Sequence, residues 1–289
     1  TATATETGGN IDITSPLVNL DAQGSTNDTT PTISGNTDQA PGSRVSITVT
    51  DSAGNTQTFD AIVENDGTFS VDVPAELADG NFTVTATVTD DAGNQDSATT
   101  QGNIDTAAPT LSLDPQDIGN DTTPLISGTT DLPQGSTVTL VVTDSLGNQQ
   151  TIEAVVDESG GFSAEVPSAL AEGNYSVTAT AVDGNGNTAS VTENGGIIDT
   201  TAPLLSLNPV GSGNDSTPTL SGSTDLPEGS VVSLTVVDSA GNTQTINTLV
   251  DANGNFSVDV PPELADGDFT VTATAEDEAG NEVTDNATG

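Results

Sequence analysis

The most regular feature of the chain is the alternation of apolar and polar residues in the segment FTVTATVTDDAGN, which begins at Phe82. Apolar residues occupy every second position from Phe82 to Val88, and threonines occupy the positions between them. This period of two predicts a β-strand with one buried and one exposed face. The same pattern returns from Tyr175 and from Phe269.

Shorter apolar runs, separated by turn-forming residues, predict further strands. In the middle of the chain these runs are TPLISGTT, STVTLVVTD, QQTIEAVVD and GFSAEVP, spread over residues 123–167. No segment has a long helical period. The pattern predicts about seven strands in each third of the chain, which is typical of an immunoglobulin-like β-sandwich.

Whole phrases recur at a fixed spacing. GNIDITSP, GNIDTAAP and GIIDTTAP place Asp12, Asp105 and Asp199 at intervals of 93 and 94 residues, and such a period indicates a tandem array of domain-sized copies. We therefore predict an all-β fold, a tandem array of three immunoglobulin-like β-sandwich domains at residues 12–104, 105–198 and 199–289 that forms an extended rod. Residues 1–11 align with the end of a copy, which predicts the last strand and linker of a preceding repeat and a fragment of a longer array.

One phrase sharpens the prediction of the fold. LAEGNY, from Leu170 to Tyr175, resembles the corner before strand F of such sandwiches, where a tyrosine hydroxyl bonds back to the backbone. Copies one and three carry Phe82 and Phe269 instead, so packing alone is expected to hold their corners. The cores are expected to be thin, because the chain has six Phe, one Tyr and neither Trp nor Met.

The composition is strongly acidic, with 43 Asp and Glu residues, a single basic residue, Arg44, and a formal net charge of −42. A surface of this kind repels nucleic acid and anionic lipid, and it attracts hard cations. Because His, Cys and Lys are absent, Ser-His and thiol mechanisms are excluded, and we predict no enzyme and no catalytic residue. A two-carboxylate hydrolase stays chemically possible, but the aromatic residues that would stack on its substrate are scarce. No apolar run is long enough to span a membrane.

The phrases VTDSAGN, VTDDAGN and IDTTAP, the acidity and the lack of cysteine resemble the bacterial Ig-like repeats of very long, calcium-dependent RTX adhesins of Gram-negative marine bacteria. The resemblance covers all three copies. It implies an extender that holds a ligand-binding tip away from the cell for attachment or biofilm formation, with calcium ions stiffening the joints. It also implies type I secretion, a cell-surface location and an outer-membrane anchor elsewhere in the protein. We expect a monomer whose repeats contact their neighbours through calcium-bridged joints.

The predicted strand order independently places carboxylates at the joints. If strands run from A to G, the preceding linker and the B–C, D–E and F–G loops share the N-terminal pole of each sandwich, while the A–B and C–D loops and the E–F corner share the C-terminal pole. Stacked copies would bring these poles together, and calcium takes six to eight oxygen ligands from such loops. The candidate calcium ligands are Asp12, Asp105 and Asp199 in the linkers, Asp38, Asp131 and Asp225 in B–C, Asp90, Asp183 and Asp277 in F–G, Asp28 and Asp121 in A–B, and Asp79 and Glu172 in E–F.

Several of these features have a second interpretation. The Asp residues of the C–D phrases, Asp51, Asp144 and Asp238, are predicted mainly to form turns, and Asp183 could serve either a turn or a metal. The rows of threonine could bind ice or sugar hydroxyls, although threonine suits the outer face of any strand. Homophilic adhesion through the sandwich edges would need calcium bridges between such acidic copies.

Overall fold

The computed structural model describes residues 11–289, so the segment predicted to end a preceding repeat lies almost wholly outside the described residues. Within them the chain forms 23 β-strands and no helix, and therefore none long and apolar enough to cross a membrane. The chain divides into two compact units. One comprises residues up to Thr110 together with Val182–Ala189, and the other comprises Leu111–Ala181 together with Ser190–Gly289.

The strands follow the three sequence copies. Repeat one contains β1 (Val18–Leu20), β2 (Ser25–Thr26), β3 (Thr32–Thr37), β4 (Arg44–Thr50), β5 (Thr56–Ile62), β6 (Thr68–Asp72), β7 (Gly80–Thr89) and β8 (Gln95–Ile104). Repeat two contains β9 (Leu111–Leu113), β10 (Ile118–Gly119), β11 (Leu125–Thr130), β12 (Thr137–Thr143), β13 (Gln149–Val155), β14 (Gly161–Glu165), β15 (Gly173–Val182) and β16 (Thr188–Ile198). Repeat three contains β17 (Leu205–Leu207), β18 (Thr219–Thr224), β19 (Val231–Val237), β20 (Thr243–Leu249), β21 (Asn255–Asp259), β22 (Thr270–Glu276) and β23 (Glu282–Thr288).

Each repeat has a smaller and a larger sheet. The strand orders are β1-β3-β6 and β2-β8-β7-β4-β5 in repeat one, β14-β11-β9 and β10-β16-β15-β12-β13 in repeat two, and β17-β18-β21 and β20-β19-β22-β23 in repeat three. The first strand of repeat one is split between its sheets, because β1 pairs antiparallel with β3 and β2 pairs parallel with β8. The predicted all-β immunoglobulin-like sandwiches are confirmed.

The period-two pattern builds each core directly. In β7, Phe82, Val84 and Ala86 are buried, while the alternating threonines lie on the outer face. The residues Val45–Val49 of β4, paired beside β7, contribute three more buried side chains to the same cluster. The apolar face of each strand therefore faces the other sheet, and the polar face is left to solvent.

The scarce aromatic residues are concentrated over glycines of the neighbouring strand. Phe69 lies opposite Gly35 and Phe82 lies opposite Gly102, and a β-carbon on either glycine would come closer than 3.0 Å to the ring. The missing side chain therefore leaves the space that the ring occupies. The corresponding pairs are Phe162 over Gly128 and Tyr175 over Gly196 in repeat two, and Phe256 over Gly222 and Phe269 over Gly289 in repeat three.

The hydroxyl of Tyr175 does not make the hydrogen bond to the backbone that the sequence predicted. Its hydroxyl donates to Oε1 of Gln116 at 3.2 Å, and Gln116 in turn donates from Nε2 to the carbonyl of Asp114. Burial raises the pKa of Tyr175, and the charges of Asp117 and Asp121 raise it further. A side chain that follows the first strand of the repeat therefore satisfies the hydroxyl.

A glutamine on β5 and on the equivalent strands β13 and β20 reaches the E–F corner. In repeat one, Gln57 donates from Nε2 to the carbonyl of Ala75 at 2.8 Å and accepts its N–H at 3.0 Å. Gln150 makes the same pair of bonds with Ser168 in repeat two. In repeat three the corner residue is Pro262, which has no N–H, and the buried Oε1 of Gln244 has no hydrogen-bond partner.

We therefore expect Pro262→Ala to stabilise repeat three by about 1 kcal/mol, because the new N–H would satisfy the buried acceptor of Gln244 and outweigh the lost rigidity of proline. Chemical denaturation measures the change in the free energy of unfolding, and hydrogen exchange across residues 199–289 assigns that change to repeat three. Pro261→Ala is the matched control, since it removes a proline without supplying that N–H. Equal effects of the two substitutions on stability would show that the missing N–H at Pro262 does not destabilise repeat three.

Candidate functional site: the carboxylates at the repeat junctions

The three linker aspartates form the same local turn. The side chain of each accepts the backbone N–H two residues later, at 3.0 Å from Thr14 to Asp12, 3.1 Å from Ala107 to Asp105 and 3.0 Å from Thr201 to Asp199. These Asx turns orient the chain before the linker proline. The linker Asp therefore forms a local turn, a role that the sequence did not predict for these candidate calcium ligands.

The F–G aspartates hold tight hairpins. Oδ1 of Asp183 accepts the N–H groups of Asn185 and Asn187 at 2.8 and 2.9 Å, and Oδ2 accepts Nδ2 of Asn187 at 2.9 Å. The bond from the Asn187 side chain is the main reason that the pKa of Asp183 lies below its usual value. Asp90 and Asp277 make the equivalent bonds with Asn94 and Asn281.

The asparagine that closes each F–G hairpin also holds the linker. Nδ2 of Asn187 donates to the backbone carbonyl of Asp105 at 2.9 Å, and Nδ2 of Asn281 donates to that of Asp199 at 2.9 Å. In repeat one, Asn94 makes this bond with Asp12 at 3.2 Å. One amide therefore bridges two of the predicted ligand positions, the F–G Asp and the linker Asp, in every copy.

In the first unit, a second asparagine of the F–G turn also bonds to the linker Asp. Nδ2 of Asn185 donates to Oδ2 of Asp105 at 2.8 Å. The side chain of Asn27, from the A–B loop of repeat one, lies beside Gly186, where a β-carbon would be 3.4 Å from Nδ2. Side chains of the linker and the F–G turn therefore bond each other at Asp105, and the A–B loop lies beside the same F–G turn.

The E–F carboxylates bind the threonines that follow the linker Asp. Asp79 accepts the N–H and the hydroxyl of Thr106 at 3.1 and 2.9 Å. In the second unit, the two carboxylate oxygens of Glu172 accept the hydroxyls of Thr201 and Thr200 at 2.7 and 2.9 Å. The bond from Thr201, followed by that from Thr200, lowers the pKa of Glu172.

Backbone contacts join repeats two and three within the second unit. The N–H of Asn120 donates to the carbonyl of Ala279 at 3.1 Å, and its Nδ2 donates to the carbonyl of Gly280 at 2.9 Å. Beside them, Asp199, Asp277 and other residues line a surface groove of about 700 Å³. The A–B loop of one repeat thus contacts the F–G turn of the next.

The remaining predicted ligands take part in turns or in strand contacts. Asp38 accepts the N–H of Leu17 at 2.9 Å, and Asp225 accepts that of Leu204 at 2.8 Å; Asp131 occupies the equivalent position in repeat two. Asp28 and Asp121 each accept both the N–H and the hydroxyl of the threonine two residues later. These side chains are therefore already bonded to the protein.

The C–D aspartates, predicted mainly as turn formers, have the most enclosed carboxylates. Asp51 is 6% exposed and accepts bonds from Ala53 N–H, Asn55 N–H, Asn55 Nδ2 and Ala78 N–H, at 2.8 to 3.2 Å. The last of these connects the C–D turn to the E–F corner. Asp144 and Asp238 make the same set of bonds.

Across residues 11–289, no three Asp or Glu side chains are grouped closely enough to form a metal site by themselves. The polar groups bonded at Asp105 and Asp199 are carboxylates, Asn amides and backbone carbonyls, and oxygen atoms of these types are the ligands that calcium prefers. A calcium ion there would draw on carboxylates together with Asn side chains and backbone carbonyls.

The outer threonine rows bond to one another. Thr48 and Thr58 lie 3.2 Å apart through their hydroxyl oxygens. In repeat two, the hydroxyls of Thr178 and Thr192 are 2.9 Å apart. Cross-strand pairing of this kind stabilises a sheet, so the rows have a structural role without a ligand.

A family model for the bacterial Ig-like domain matches residues 18–106, 112–200 and 211–289. The chain belongs to the bacterial Ig-like domain family. This match confirms the resemblance that the repeated phrases indicated. None of the curated proteins matches the chain.

Solved structures of large adhesins are similar to these bacterial Ig-like repeats. A tetra-tandem repeat in the extending region of a large adhesion protein is 39% identical, covering 94% of this chain and 72% of that one, with a TM-score of 0.32. A Ca²⁺-stabilized adhesin that helps an Antarctic bacterium reach out and bind ice is 27% identical, covering 96% and 74%, with a TM-score of 0.47. A 1.5-MDa bacterial ice-binding adhesin is 23% identical, covering 96% and 98%, with a TM-score of 0.44. The identity with the first of these shows homology to adhesin repeats.

Proposed function

We propose that the chain is a calcium-stiffened extender of a large bacterial surface adhesin, and that it projects a ligand-binding tip from the cell. The 39% identity with repeats of an adhesin's extending region supports the role. The chain would lie outside the cell, exported by type I secretion and anchored elsewhere in the full protein. It would have no enzymatic activity, and its partners would be its own neighbouring repeats.

The observation that carries the proposal is the bond from each F–G asparagine to the linker. Asn187 connects Asp183 to Asp105, and Asn281 connects Asp277 to Asp199. At each junction a single amide therefore bonds the F–G carboxylate to the backbone carbonyl of the linker Asp. The two Asp side chains also share a neighbour: both accept bonds from Asn185 in the first unit, and both line one groove in the second. Mutual repulsion between them would be relieved by a divalent cation, which then stabilises the bonded arrangement.

The residues that would hold calcium differ between the junctions. Asp105 and Asp183, with the side chain of Asn185, are the candidates in the first unit. Asp199 and Asp277 are the candidates in the second, where Ala279 stands at the position of Asn185. Bound calcium would supply charge neutralisation and bridging, while the Asn–carbonyl bonds and the linker prolines limit bending of the chain. Extracellular calcium of roughly millimolar concentration suffices for sites of this module type.

Small-angle X-ray scattering in calcium and in excess chelator tests the proposal. Three sandwiches of roughly 40 Å each, from eight residues at about 3.4 Å plus loops, would give a stiff particle of about 120 Å in calcium. In chelator we expect a broader distribution of distances, because repulsion between the junction carboxylates is then uncompensated. Identical scattering profiles in calcium and in chelator would show that calcium does not stiffen the chain, which would then be a passive acidic spacer.

Single substitutions assign the effect to one junction. Asp105→Ala should broaden the scattering profile in calcium while the melting temperatures of the sandwiches stay unchanged, because the carboxylate belongs to the linker. Asp91→Ala is the matched control, since it removes the same charge from an exposed position of an F–G turn. Unfolding of a sandwich by Asp105→Ala at saturating calcium would contradict a role confined to the junction.

A further inference from the structure

The longer edge strands of these sheets carry carboxylates, with one exception. Exposed strand edges present unpaired N–H and C=O groups, and charged side chains on them block pairing with another chain. Among the described edge strands of five or more residues, β20 alone has no charged side chain. The others carry Asp60 on β5, Glu153 on β13, Asp72, Glu165 and Asp259 on β6, β14 and β21, and Glu282 and Asp285 on β23.

The exception lies at a position where the other two repeats are charged. β5 reads TQTFDAI and β13 reads QQTIEAV, whereas β20 reads TQTINTL. Asn247 therefore stands where repeats one and two have Asp60 and Glu153. In a chain of net charge −42, β20 is a seven-residue stretch along which a second acidic chain could approach without facing a carboxylate on the strand itself.

The direction of the free backbone groups follows from the ladder. Asp238 donates to the carbonyl of Asn242 at 3.1 Å, and Val250 donates to that of Ser230 at 2.9 Å. Because hydrogen bonding alternates along an antiparallel pair, the even-numbered residues between them bond to β19. The N–H and C=O groups of Thr243, Thr245, Asn247 and Leu249 consequently point outward from the sheet.

The exposed side chains of this edge suit self-pairing. Leu249 is 62% exposed, and Val231, its cross-strand partner on β19, is 50% exposed. Gln244 keeps only one of the two corner bonds that Gln57 and Gln150 make, because Pro262 offers no N–H to its Oε1, while Thr248 adds a bond to the carbonyl of Ser257. The strand is therefore uncharged and partly apolar at an exposed edge of its sheet.

We propose that β20 pairs antiparallel with β20 of a second copy of this chain. A two-fold axis at Ile246 places Thr243 opposite Leu249 and Thr245 opposite Asn247, which forms about eight backbone hydrogen bonds and joins two four-stranded sheets. The same arrangement of β5 would put two copies of Asp60 at diagonal positions about 7–8 Å apart, where like charges repel. Asn247 instead permits amide hydrogen bonds across the axis. This lateral pairing goes beyond the extender function. Unlike the calcium-bridged adhesion of acidic edges considered from the sequence, it needs no calcium, because β20 carries no carboxylate. It is limited by the net charge of the two chains.

Sedimentation of the full 289-residue chain in chelator, from about 10 µM to 1 mM, tests the pairing. We expect a monomer–dimer equilibrium that strengthens as sodium chloride rises, because salt screens the repulsion between the chains. Asn247→Glu should weaken dimerisation at least tenfold, and it is tolerated by the fold because Glu153 occupies the position in repeat two. Asn286→Glu, on the same outer face but on β23, is the charge-matched control and should leave the equilibrium unchanged.

Amide hydrogen exchange locates the interface. On dimerisation, the outward N–H groups of Thr245 and Asn247 should become protected, while that of Ile246, already bonded to β19, should not change. A monomer at every concentration and salt would overturn the proposal, and so would a dimer that Asn247→Glu leaves intact or that forms only in calcium.

Discussion

Replacing Gly128 with alanine is expected to destabilise repeat two by about 3 kcal/mol or more, since a new β-carbon must displace a packed ring and backbone in a close-packed core. The β-carbon would lie 2.6 Å from Cζ of Phe162 and closer still to the carbonyl oxygen of Ser112. Neither neighbour can yield easily, because Phe162 is 3% exposed and Ser112 belongs to the paired strand β9. For a domain of about 90 residues a loss of about 3 kcal/mol corresponds to a fall of roughly 12–24 °C in melting temperature.

Calorimetry of the whole chain measures the loss, and hydrogen exchange over residues 111–198 assigns it to repeat two. Gly119→Ala is the matched control, because nothing lies within 4 Å of a β-carbon at that strand glycine. An unchanged melting profile for Gly128→Ala would show that the ring does not depend on the glycine for its space.

The fold could be predicted from the sequence because the signals for it are local and repeated. Alternation in the segment from Phe82 is enough to define β7 and its buried face, and the same alternation recurs in β15 and β22. The parallel strand β2 was not predicted, because its two residues carry no alternation. The pairing of Phe82 with Gly102 also escaped prediction, since strand register is a property of the assembled sheet.

The candidate site could be predicted less completely. Successive loops lie at alternate poles of a sandwich, so the sequence alone places Asp183 and Asp105 at the same pole, and in the structure they are neighbours. What the sequence did not reveal is how many bonds each carboxylate already accepts from its own turn. The bridging role of Asn187 was missed, although the recurrence of Asn at the end of every DxxGN phrase could have pointed to it.

Replacing Asp51 with asparagine is expected to cause the largest loss of stability among the turn aspartates of repeat one. The carboxylate accepts four hydrogen bonds in a nearly closed pocket and connects the C–D turn to the E–F corner. An amide keeps the shape but turns one acceptor into a donor that faces other donors. Thermal unfolding at neutral pH measures the loss. Asp91→Asn removes the same charge from an exposed position of the same repeat, and it should change the melting temperature far less.

The response to acid separates hydrogen bonding from charge repulsion. The bond from the Asn55 side chain, which outweighs the opposing effect of burial, lowers the pKa of Asp51 below its usual value near 3.8. A carboxyl with a depressed pKa in the folded state stabilises fully above its unfolded pKa, and this stabilisation is lost as pH falls through the folded pKa. The difference in melting temperature between the wild type and Asp51→Asn should thus be constant from neutral pH to about pH 5 and shrink below about pH 4. Protonation of the other carboxylates relieves repulsion in both proteins and cancels in the difference. A difference that grows on acidification would mean that Asp51 destabilises the fold by its charge, which its hydrogen bonds argue against.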